Sequence, residues 1–290
     1  MLAGIDLGGT QVRVALARSD GNLVASIKTK THLVPTPEAM VEWAAGEIDR
    51  HRGREKVRSI TIAAPGPIDI TRGVLVNPPN LPWHNVPLEA MMSRATGARV
   101  SLANDADMAG LGEFHRGAGR GTKNMVYITW STGVGGGLII DGELHRGAHG
   151  TAGEIGHMII DPDGPLDSCG QRGCLEAFIG GANLARETGH PASELFAEAA
   201  RGDRHARMVV ERAARYMGIG LISLTNALDP EMFVIGGGVS RSWALVYPTM
   251  LATLRSSPFI KPARRPRLRR ARLGDRAGQV GAVEWARLNP

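Results

Sequence analysis

The chain has few of the residues that mark several classes of protein. Aromatic residues make up 4% of its 290 residues, and there are only two cysteines. Two cysteines cannot build the disulfide framework of a small secreted protein. No apolar run reaches the roughly 20 residues of a transmembrane helix, and Met1 leads almost directly into a strand-like segment rather than a signal peptide. We therefore expect a cytoplasmic globular protein without a membrane partner, long enough for two domains.

Lysine is also scarce, so the net charge of +6 comes mainly from arginine. A basic stripe can bind nucleic acid or another polyanion, or it can keep a solvated edge strand from pairing with another sheet. No aromatic residues interleave the arginines to stack bases, so we expect an edge strand and no nucleic-acid partner. The cluster consists of Arg264, Arg265, Arg267, Arg269, Arg270 and Arg272.

The spacing of apolar and turn residues predicts two similar α/β halves. The first half begins with a hairpin over residues 4–27 and continues with strands at 59–64 and 100–103. The second half has a strand at 125–129, a glycine-rich turn at 131–137, a hairpin at 138–145 and a strand at 232–235. Helices are expected from Thr36-Pro37 onward, after residue 105, at 242–254 and at 280–288. The region 182–228 is also expected to be helical, with one break near residues 189–191.

Two glycine-rich turns follow strands, one in each half. Their sequences are Asp6-Leu-Gly-Gly-Thr10 and Ser131-Thr-Gly-Val-Gly-Gly-Gly137. Exposed backbone N–H groups in such turns can hold phosphate oxygens, and Asp6 can hold Mg²⁺ directly or through water. A single turn of this kind is equally well explained as a tight turn, but two of them favour a polyphosphate ligand. Neither is a P-loop, because no Gly-Lys-Ser/Thr follows.

Asn104-Asp105 is expected at the end of a strand, just before a helix. A carboxylate there can accept the proton of a substrate hydroxyl that attacks phosphorus. The simpler alternative is a helix N-cap, which Asn104 can also provide. A further turn, Gly236-Gly237-Gly238, lies between a strand and a helix and would let a flat base approach the backbone closely.

Both cysteines lie in one short segment, Asp-Ser-Cys169-Gly-Gln-Arg-Gly-Cys174-Leu-Glu176. A Cys-x4-Cys knuckle with His157 nearby provides three soft ligands for zinc, and a closed structural site needs a fourth. Two free buried thiols are the alternative interpretation. Glu154 and Glu176 flank the knuckle, so a metal there would fix two carboxylates toward one site.

The ordered set of these motifs resembles the ROK family (repressors, open reading frames and kinases), and within it the glucokinases of bacteria. The resemblance spans the chain and includes Leu102-Ala-Asn-Asp105, Ala152-Gly-Glu-Ile-Gly-His157 and Ile235-Gly-Gly-Gly238. It implies an actin-like, hexokinase-type (ribonuclease H-like) fold with two lobes and a cleft between them. It also implies ATP-dependent phosphorylation of a hexose, with Mg²⁺, in a dimer or tetramer. We expect an N-terminal lobe over 1–105, with a helix at about 276–290 packed on it, and a larger lobe over 106–275.

The resemblance also implies roles for individual residues. Asp105 matches the catalytic base. The positions that match sugar-binding residues are Gly66, Asn80, Asn104, Asp105, Glu154, His157 and Glu176. The positions that match nucleotide contacts are Asp6, Gly8, Gly9, Thr10, Ser131, Thr132, Gly133, Gly135, Gly236, Gly237 and Gly238.

The zinc motif of the family is a histidine followed by Cys-x-Cys-Gly-x-x-Gly-Cys. In this chain Asp167 stands where the first cysteine belongs. A carboxylate can ligate zinc, so the resemblance implies a site of His157, Asp167, Cys169 and Cys174. We expect this site to be harder and weaker than one with three cysteines.

Two other functions compete with a glucokinase. Kinases for mannose, fructose, N-acetylmannosamine or N-acetylglucosamine use similar hydroxyl-reading residues, and the sequence does not choose among these sugars. A sugar-sensing regulator that binds DNA is the second alternative. Asp105 argues against a regulator, which needs no base, and the chain begins in its first strand instead of the helix-turn-helix domain that such regulators carry.

Overall fold

The computed structural model describes residues 1–290, which form twelve strands and nine α-helices. The strands are β1 (Leu2–Leu7), β2 (Gln11–Ala17), β3 (Leu23–Lys30), β4 (Ser59–Ala64), β5 (Ile68–Asp69), β6 (Val74–Leu75), β7 (Arg99–Asn104), β8 (Met125–Trp130), β9 (Val134–Ile140), β10 (Glu143–Leu144), β11 (Met232–Gly236) and β12 (Arg267–Arg270). The helices are α1 (Pro37–His51), α2 (Leu88–Thr96), α3 (Asp105–Arg116), α4 (Leu175–Ile179), α5 (Gly181–Thr188), α6 (Ala192–Arg201), α7 (Arg204–Leu228), α8 (Trp243–Ser256) and α9 (Ala277–Leu288). None of the helices combines the length and the apolar character that crossing a bilayer requires.

The chain divides into two compact units with the same sheet topology. The first unit is Met1–Arg120 together with Asp275–Pro290, and the second is Gly121–Gly274. The sheet orders are β3-β2-β1-β4-β7 and β10-β9-β8-β11-β12. In each sheet the first three strands pair antiparallel and the last two join in parallel. The predicted repetition of hairpin and strand units is therefore confirmed.

The first unit has a core in which sequence pattern and structure agree closely. Strand β4 is buried along its whole length, as expected for a central strand of a parallel region. Helix α1 begins at Pro37 and is capped by Thr36, whose side chain accepts a hydrogen bond from the N–H group of Ala39. Its buried face carries the predicted Met40, Val41, Ala44 and Ile48.

The C-terminal helix α9 packs on β1 and α3 in the first unit. Glycines make the close approach possible: a Cβ atom on Gly4 would lie 2.7 Å from the backbone nitrogen of Val283. One on Gly112 would lie 2.5 Å from the carbonyl oxygen of Ala277. The sequence predicted a boundary between the two units after Asp105, but the boundary lies after Arg120. Helix α3 belongs to the first unit because it packs closely on α9.

The helices of the second unit are divided at one more point than the sequence predicted. One break was expected in the helical region 182–228, near residues 189–191, but the structure has a second break at Gly202, where φ is +103°. Asp203 then caps α7, because its side chain accepts the N–H group of Ala206 at 2.8 Å. The hairpin turn Asp141-Gly142 has positive φ at both positions, as the type I′ prediction requires.

Two other expectations need correction. The glycine-rich turn ends at Gly133, because residues 135–137 lie in β9 and pair with β8; Gly135 is opposite Thr129. The arginine strand is shorter than expected and covers only Arg267–Arg270. It forms the edge of its sheet, next to β11, with three of its four residues exposed.

Candidate active site

The first glycine turn connects β1 to β2 and is held by one side chain. The N–H group of Gly8 donates to the carbonyl of Gln11 at 3.0 Å. Thr31 fixes the turn from outside: its hydroxyl donates to the carbonyl of Gly8 at 2.7 Å and its N–H group to that of Thr10 at 2.9 Å. Asn80 lies directly against the turn, since a Cβ atom on Gly9 would be 2.7 Å from the Cβ of Asn80. The structure thus brings four predicted site residues together here.

Asp6 is a half-buried acid opposite Arg13 in the β1–β2 hairpin. The Arg13 guanidinium lies 3.3 Å from the carboxylate and also donates to Gln11 at 2.7 Å. Burial raises the pKa of Asp6 to about 6 despite the opposing charge of Arg13, and the negative charges of Asp105 and Asp275 add to the rise. A cation bound at this carboxylate would relieve that cost.

Asn104 and Asp105 lie at the junction of β7 and α3, as predicted. Asn104 caps the helix, because its Oδ1 accepts the N–H groups of Ala106 at 2.8 Å and Asp107 at 3.1 Å. Its Nδ2 lies on the side of Gly66, where a Cβ atom would approach it to 3.8 Å. Asp105 is the first residue of α3 and half-buried. The cap therefore fixes the backbone that carries Asp105 and leaves the amide nitrogen of Asn104 facing Gly66.

The second glycine turn connects β8 to β9 through Ser131, Thr132 and Gly133. The carbonyls of Ser131 and Thr132 accept the N–H groups of Gly181 and Ala182, both at 2.9 Å. Since the C=O and the next N–H of a trans peptide point in opposite directions, the following N–H groups face away from α5. This orientation is the one that an anion-binding turn needs.

A cavity of about 620 Å³ opens beside this turn. Its wall includes Gly238 from the triple-glycine turn, and a Cβ atom there would lie 3.5 Å from the Ser131 hydroxyl. Most of the lining is small and apolar, with a few polar groups, which suits a flat heterocycle with a polar tail. The lining residues are Ser131, Thr132, Gly181, Ala182, Ala185, Ala192, Ser193, Phe196, Ala197, Ala200, Gly238, Val239, Arg241 and Ser242.

Glu176 connects the cysteine segment to the second glycine turn. Its Oε2 accepts the N–H group of Val134 at 2.5 Å, and a Cβ atom on Gly133 would lie equally close to that oxygen. Burial raises the pKa of Glu176, the Val134 N–H group opposes the rise, and the charges of His157 and Glu154 reach the same carboxylate. Three predicted sugar-binding residues are thus neighbours in the second unit.

The predicted metal ligands also come together. One potential ligand atom from each of His157, Asp167, Cys169 and Cys174 lies within 4.8 Å of the other three. Nδ1 of His157 is buried and has no hydrogen-bond partner. Buried polar atoms are rarely left without one, and a bound metal ion would provide the missing contact. Two sulfurs, an imidazole nitrogen and a carboxylate oxygen are ligands that zinc accepts, so the four residues fit a zinc ion.

Hydrogen bonds stabilise the Asp167 carboxylate within this group. Burial alone would raise its pKa, but donors from Cys169, Asn183 and the Ser168 backbone outweigh that effect and lower the pKa to about 2. Burial and the neighbouring Asp167 raise the pKa of Cys169 to about 11, and burial raises that of Cys174. Both thiols are therefore protonated at neutral pH until a metal displaces their protons.

Sequence reasoning missed several residues around these sites. Arg13 was detectable, because the short turn at Gly8–Thr10 places it opposite Asp6 in an antiparallel hairpin. Phe196 and the alanines of α5 and α6 were not, since their apolar spacing is that of any core-facing helix. Asn183, which contacts Asp167 from α5, belongs to none of the motifs.

Comparison with known proteins gives a consistent family assignment. Residues 2–288 match the model of the ROK family. A glucokinase of Thermotoga maritima is 34% identical over 267 residues, covering 85% of this chain and 84% of the relative. An N-acetylmannosamine kinase of Escherichia fergusonii is 32% identical over 256 residues, covering 86% and 87%.

Solved structures agree in fold over almost the whole chain. The ROK hexokinase of Thermus thermophilus superposes with a TM-score of 0.88 at 36% identity, covering 99% of this chain and 98% of that one. A ROK glucokinase of Streptomyces griseus, solved with glucose and AMPPNP, has a TM-score of 0.82 at 31% identity and covers 99% of both chains. The actin-like ATPase fold expected from the sequence is therefore confirmed.

Proposed function

The chain belongs to the ROK family and is a sugar kinase, and from this premise we propose that it transfers the γ-phosphoryl group of ATP to glucose, forming glucose 6-phosphate. The observation that carries the proposal is the β7–α3 junction, where the capping residue Asn104 precedes Asp105 and faces Gly66. A carboxylate fixed at the start of a helix is suited to receive a hydroxyl proton.

In this mechanism Asp105 is the general base. It accepts the proton of the sugar hydroxyl as that oxygen attacks the γ-phosphorus, and ADP leaves. Asn104 donates through Nδ2 to a sugar hydroxyl, because its Oδ1 is already used in the helix cap. We assign sugar-binding roles to Gly66 and Asn80 in the first unit, and to Glu154, His157 and Glu176 in the second. Carboxylates and an imidazole suit this role because they accept hydrogen bonds from several hydroxyls.

The nucleotide is assigned to the glycine turns. The N–H groups beyond Ser131 and Thr132 would bind phosphate oxygens, and the cavity beside Gly238 would hold the adenine. In the first unit, we assign Gly8, Gly9 and Thr10 to phosphate binding. Asp6 would hold the Mg²⁺ that accompanies ATP, which neutralises phosphate charge when bound.

We infer that His157, Asp167, Cys169 and Cys174 hold one structural zinc ion. An imidazole has two ring nitrogens, so His157 can bind the metal through one of them, for which the unpartnered Nδ1 is the candidate, and can keep the other for a sugar hydroxyl. A zinc ion would fix the chain between His157 and Glu176 and so support the sugar site.

The test of the base is Asp105→Asn, which keeps the shape of the side chain but removes its basicity. We expect glucose binding by calorimetry to persist and kcat to fall by about 10²–10⁴, the usual contribution of a positioned base. Asp141→Asn is the matched control, because Asp141 is exposed in a hairpin turn and asparagine tolerates its positive φ. Near wild-type turnover in Asp105→Asn would remove Asp105 from this role.

The preferred sugar needs its own measurement. The N-acetylmannosamine kinase among the relatives favours that sugar as the second candidate. A coupled assay should compare kcat/KM for glucose, mannose, fructose, N-acetylmannosamine and N-acetylglucosamine. We expect glucose to have the highest value; a higher value for N-acetylmannosamine would transfer the assignment to that sugar. Light scattering of the same samples would test the expected dimer or tetramer.

A further inference from the structure

Asn183 is a buried polar residue on α5 that no motif includes. Its exposed fraction is 9%, so its amide needs partners inside the protein. Nδ2 donates to Oδ1 of Asp167 at 2.7 Å and to the carbonyl of Glu176 at 2.9 Å. Oδ1 accepts from the Arg186 guanidinium at 2.9 Å. All of the strong hydrogen-bonding groups of this side chain are therefore engaged.

The orientation of this amide follows from the chemistry of its partners. A guanidinium can only donate hydrogen bonds, and an ionised carboxylate can only accept them. The oxygen of Asn183 must therefore face Arg186 and its nitrogen must face Asp167. A flipped amide would place two acceptors together at Asp167 and two donors together at Arg186. Arg186 thus fixes the direction in which Asn183 donates.

The contact with Asn183 determines the orientation of the Asp167 carboxylate. Asp167 is 3% exposed, and its two oxygens have different donors: Oδ1 accepts from Asn183 and Oδ2 accepts from the N–H group of Cys169 at 3.0 Å. Rotation of the carboxylate would break both hydrogen bonds. The Cys169 thiol and the Ser168 N–H group also donate to this carboxylate, and the lone pair that the thiol occupies is released for a metal ion when the thiol loses its proton.

We propose that Asn183 is a positioning residue that enables Asp167 to serve as a zinc ligand in place of cysteine. A lone carboxylate in a buried site would rotate or draw in water, whereas one held by an amide presents a fixed oxygen beside His157, Cys169 and Cys174. Partners of this kind orient metal ligands and tune their affinity. The proposal rests on the zinc assignment within the proposed function, and it adds the residue that orients the carboxylate ligand.

The same amide connects the metal group to the sugar and phosphate sites. Asn183 donates to the backbone of Glu176, and the Glu176 carboxylate accepts the N–H group of Val134 at the end of the second glycine turn. Removal of the Asn183 amide therefore releases one ligand and also the backbone of a proposed sugar contact. Loss of a residue that only filled space in the core would have no specific effect on zinc binding or on the position of Glu176.

The experiment measures zinc affinity by competition with a chromophoric chelator, which does not depend on catalysis. Asn183→Ala should bind zinc about 10- to 100-fold more weakly than wild type, as is typical when such a partner is lost. Asn226→Ala is the matched control, an exposed asparagine on α7 in the same unit, and should bind zinc as wild type does. Asn183→Ala should also raise KM for the sugar more than KM for ATP.

The decisive comparison repeats the substitution in Asp167→Cys. A thiolate does not need the amide, so Asn183→Ala should change zinc affinity less than about 3-fold in that background. Wild-type zinc affinity in Asn183→Ala, or an equal loss in both backgrounds, would overturn the proposal. If the wild-type chain bound no zinc at all, the zinc assignment would fall with it, whereas the sugar kinase assay would be unaffected.

A second variant covers the case in which Asn183→Ala does not fold. Arg186→Met removes the donor that orients the amide and leaves Asn183 in place. We expect a smaller loss of zinc affinity, about 2- to 10-fold, because the amide can then rotate away from Asp167. Unchanged zinc affinity in a folded Arg186→Met variant would contradict the proposed chain from Arg186 through Asn183 to Asp167.

Discussion

Replacing Asp6 with asparagine should stabilise the first unit at the cost of activity. Burial of the carboxylate raises its pKa to about 6 from an ordinary value of 3.8. Because its pKa is higher in the folded state, the folded chain holds a proton that the unfolded chain releases between these values. Stability contributed by this group is therefore complete below 3.8 and is lost as the pH rises through about 6.

The size of the effect follows from the pKa difference. At pH 8 the ionised carboxylate destabilises the folded state by about 3 kcal/mol relative to a neutral group, and at pH 4 by less than about 1 kcal/mol. Asn keeps the shape and can still accept a hydrogen bond from Arg13. Asp6→Asn should therefore raise the free energy of unfolding by about 1.5–3 kcal/mol at pH 8 and change it little at pH 4.

The assay is urea denaturation at both pH values, with hydrogen exchange of β1 to assign the change to the first unit. Asp49→Asn is the control, since the exposed Asp49 pairs only with Arg52 on the surface and should differ from wild type by less than about 1 kcal/mol. Activity with Mg-ATP should fall at least about 10²-fold in Asp6→Asn, because the proposed cation ligand is gone. Unchanged or lower stability at pH 8, or the same change at both pH values, would refute this reasoning.

Two further predictions concern contacts within single units. In Gly133→Ala the new Cβ would lie 2.5 Å from the Glu176 carboxylate, so KM for sugar and KM for ATP should each rise about 10-fold in steady-state assays. Gly46→Ala is the control: its Cβ meets no atom within 4 Å, so both KM values should stay unchanged. Glu284→Gln should lower the free energy of unfolding by about 2 kcal/mol or more, because this 1% exposed carboxylate pairs with Arg116 at 2.5 Å and Arg287 at 2.7 Å. Glu187→Gln is the control: it affects only the exposed pair with Arg212, so its melting temperature should equal that of wild type. Equal changes of melting temperature in Glu284→Gln and Glu187→Gln would contradict the reasoning that the buried pair contributes more to stability.

The sequence predicted elements whose signals are local. The cap at Thr36, the strand Ser59–Ala64 and the Asp141-Gly142 turn each depend on a few adjacent residues, and each is found as expected. It missed α2, α4 and the small hairpin of β5 and β6. These elements are short, so packing and not propensity stabilises them.

The site shows the same limit. The motifs predicted Asp105, Glu176 and the four candidate metal ligands as site residues, because each lies in a recognisable local pattern. Gly135 was included in the turn because a run of glycines does not mark where a strand begins, and strand pairing with β8 decides that point. Asn183 was missed because its contact with Asp167 is 16 residues away in sequence and depends on how α5 packs.

The position of α9 affects how this chain can fold while it is being synthesised. The second unit is a single continuous stretch, whereas the first unit needs a helix that the ribosome makes only after that stretch is complete. Until α9 emerges, Gly4 and Gly112 have no helix to contact, and the sheet face around β1 remains uncovered. Domains usually fold in the order of their synthesis, with the N-terminal one first. We expect this chain to depart from that order, because the first unit can complete its fold only after α9 has been made.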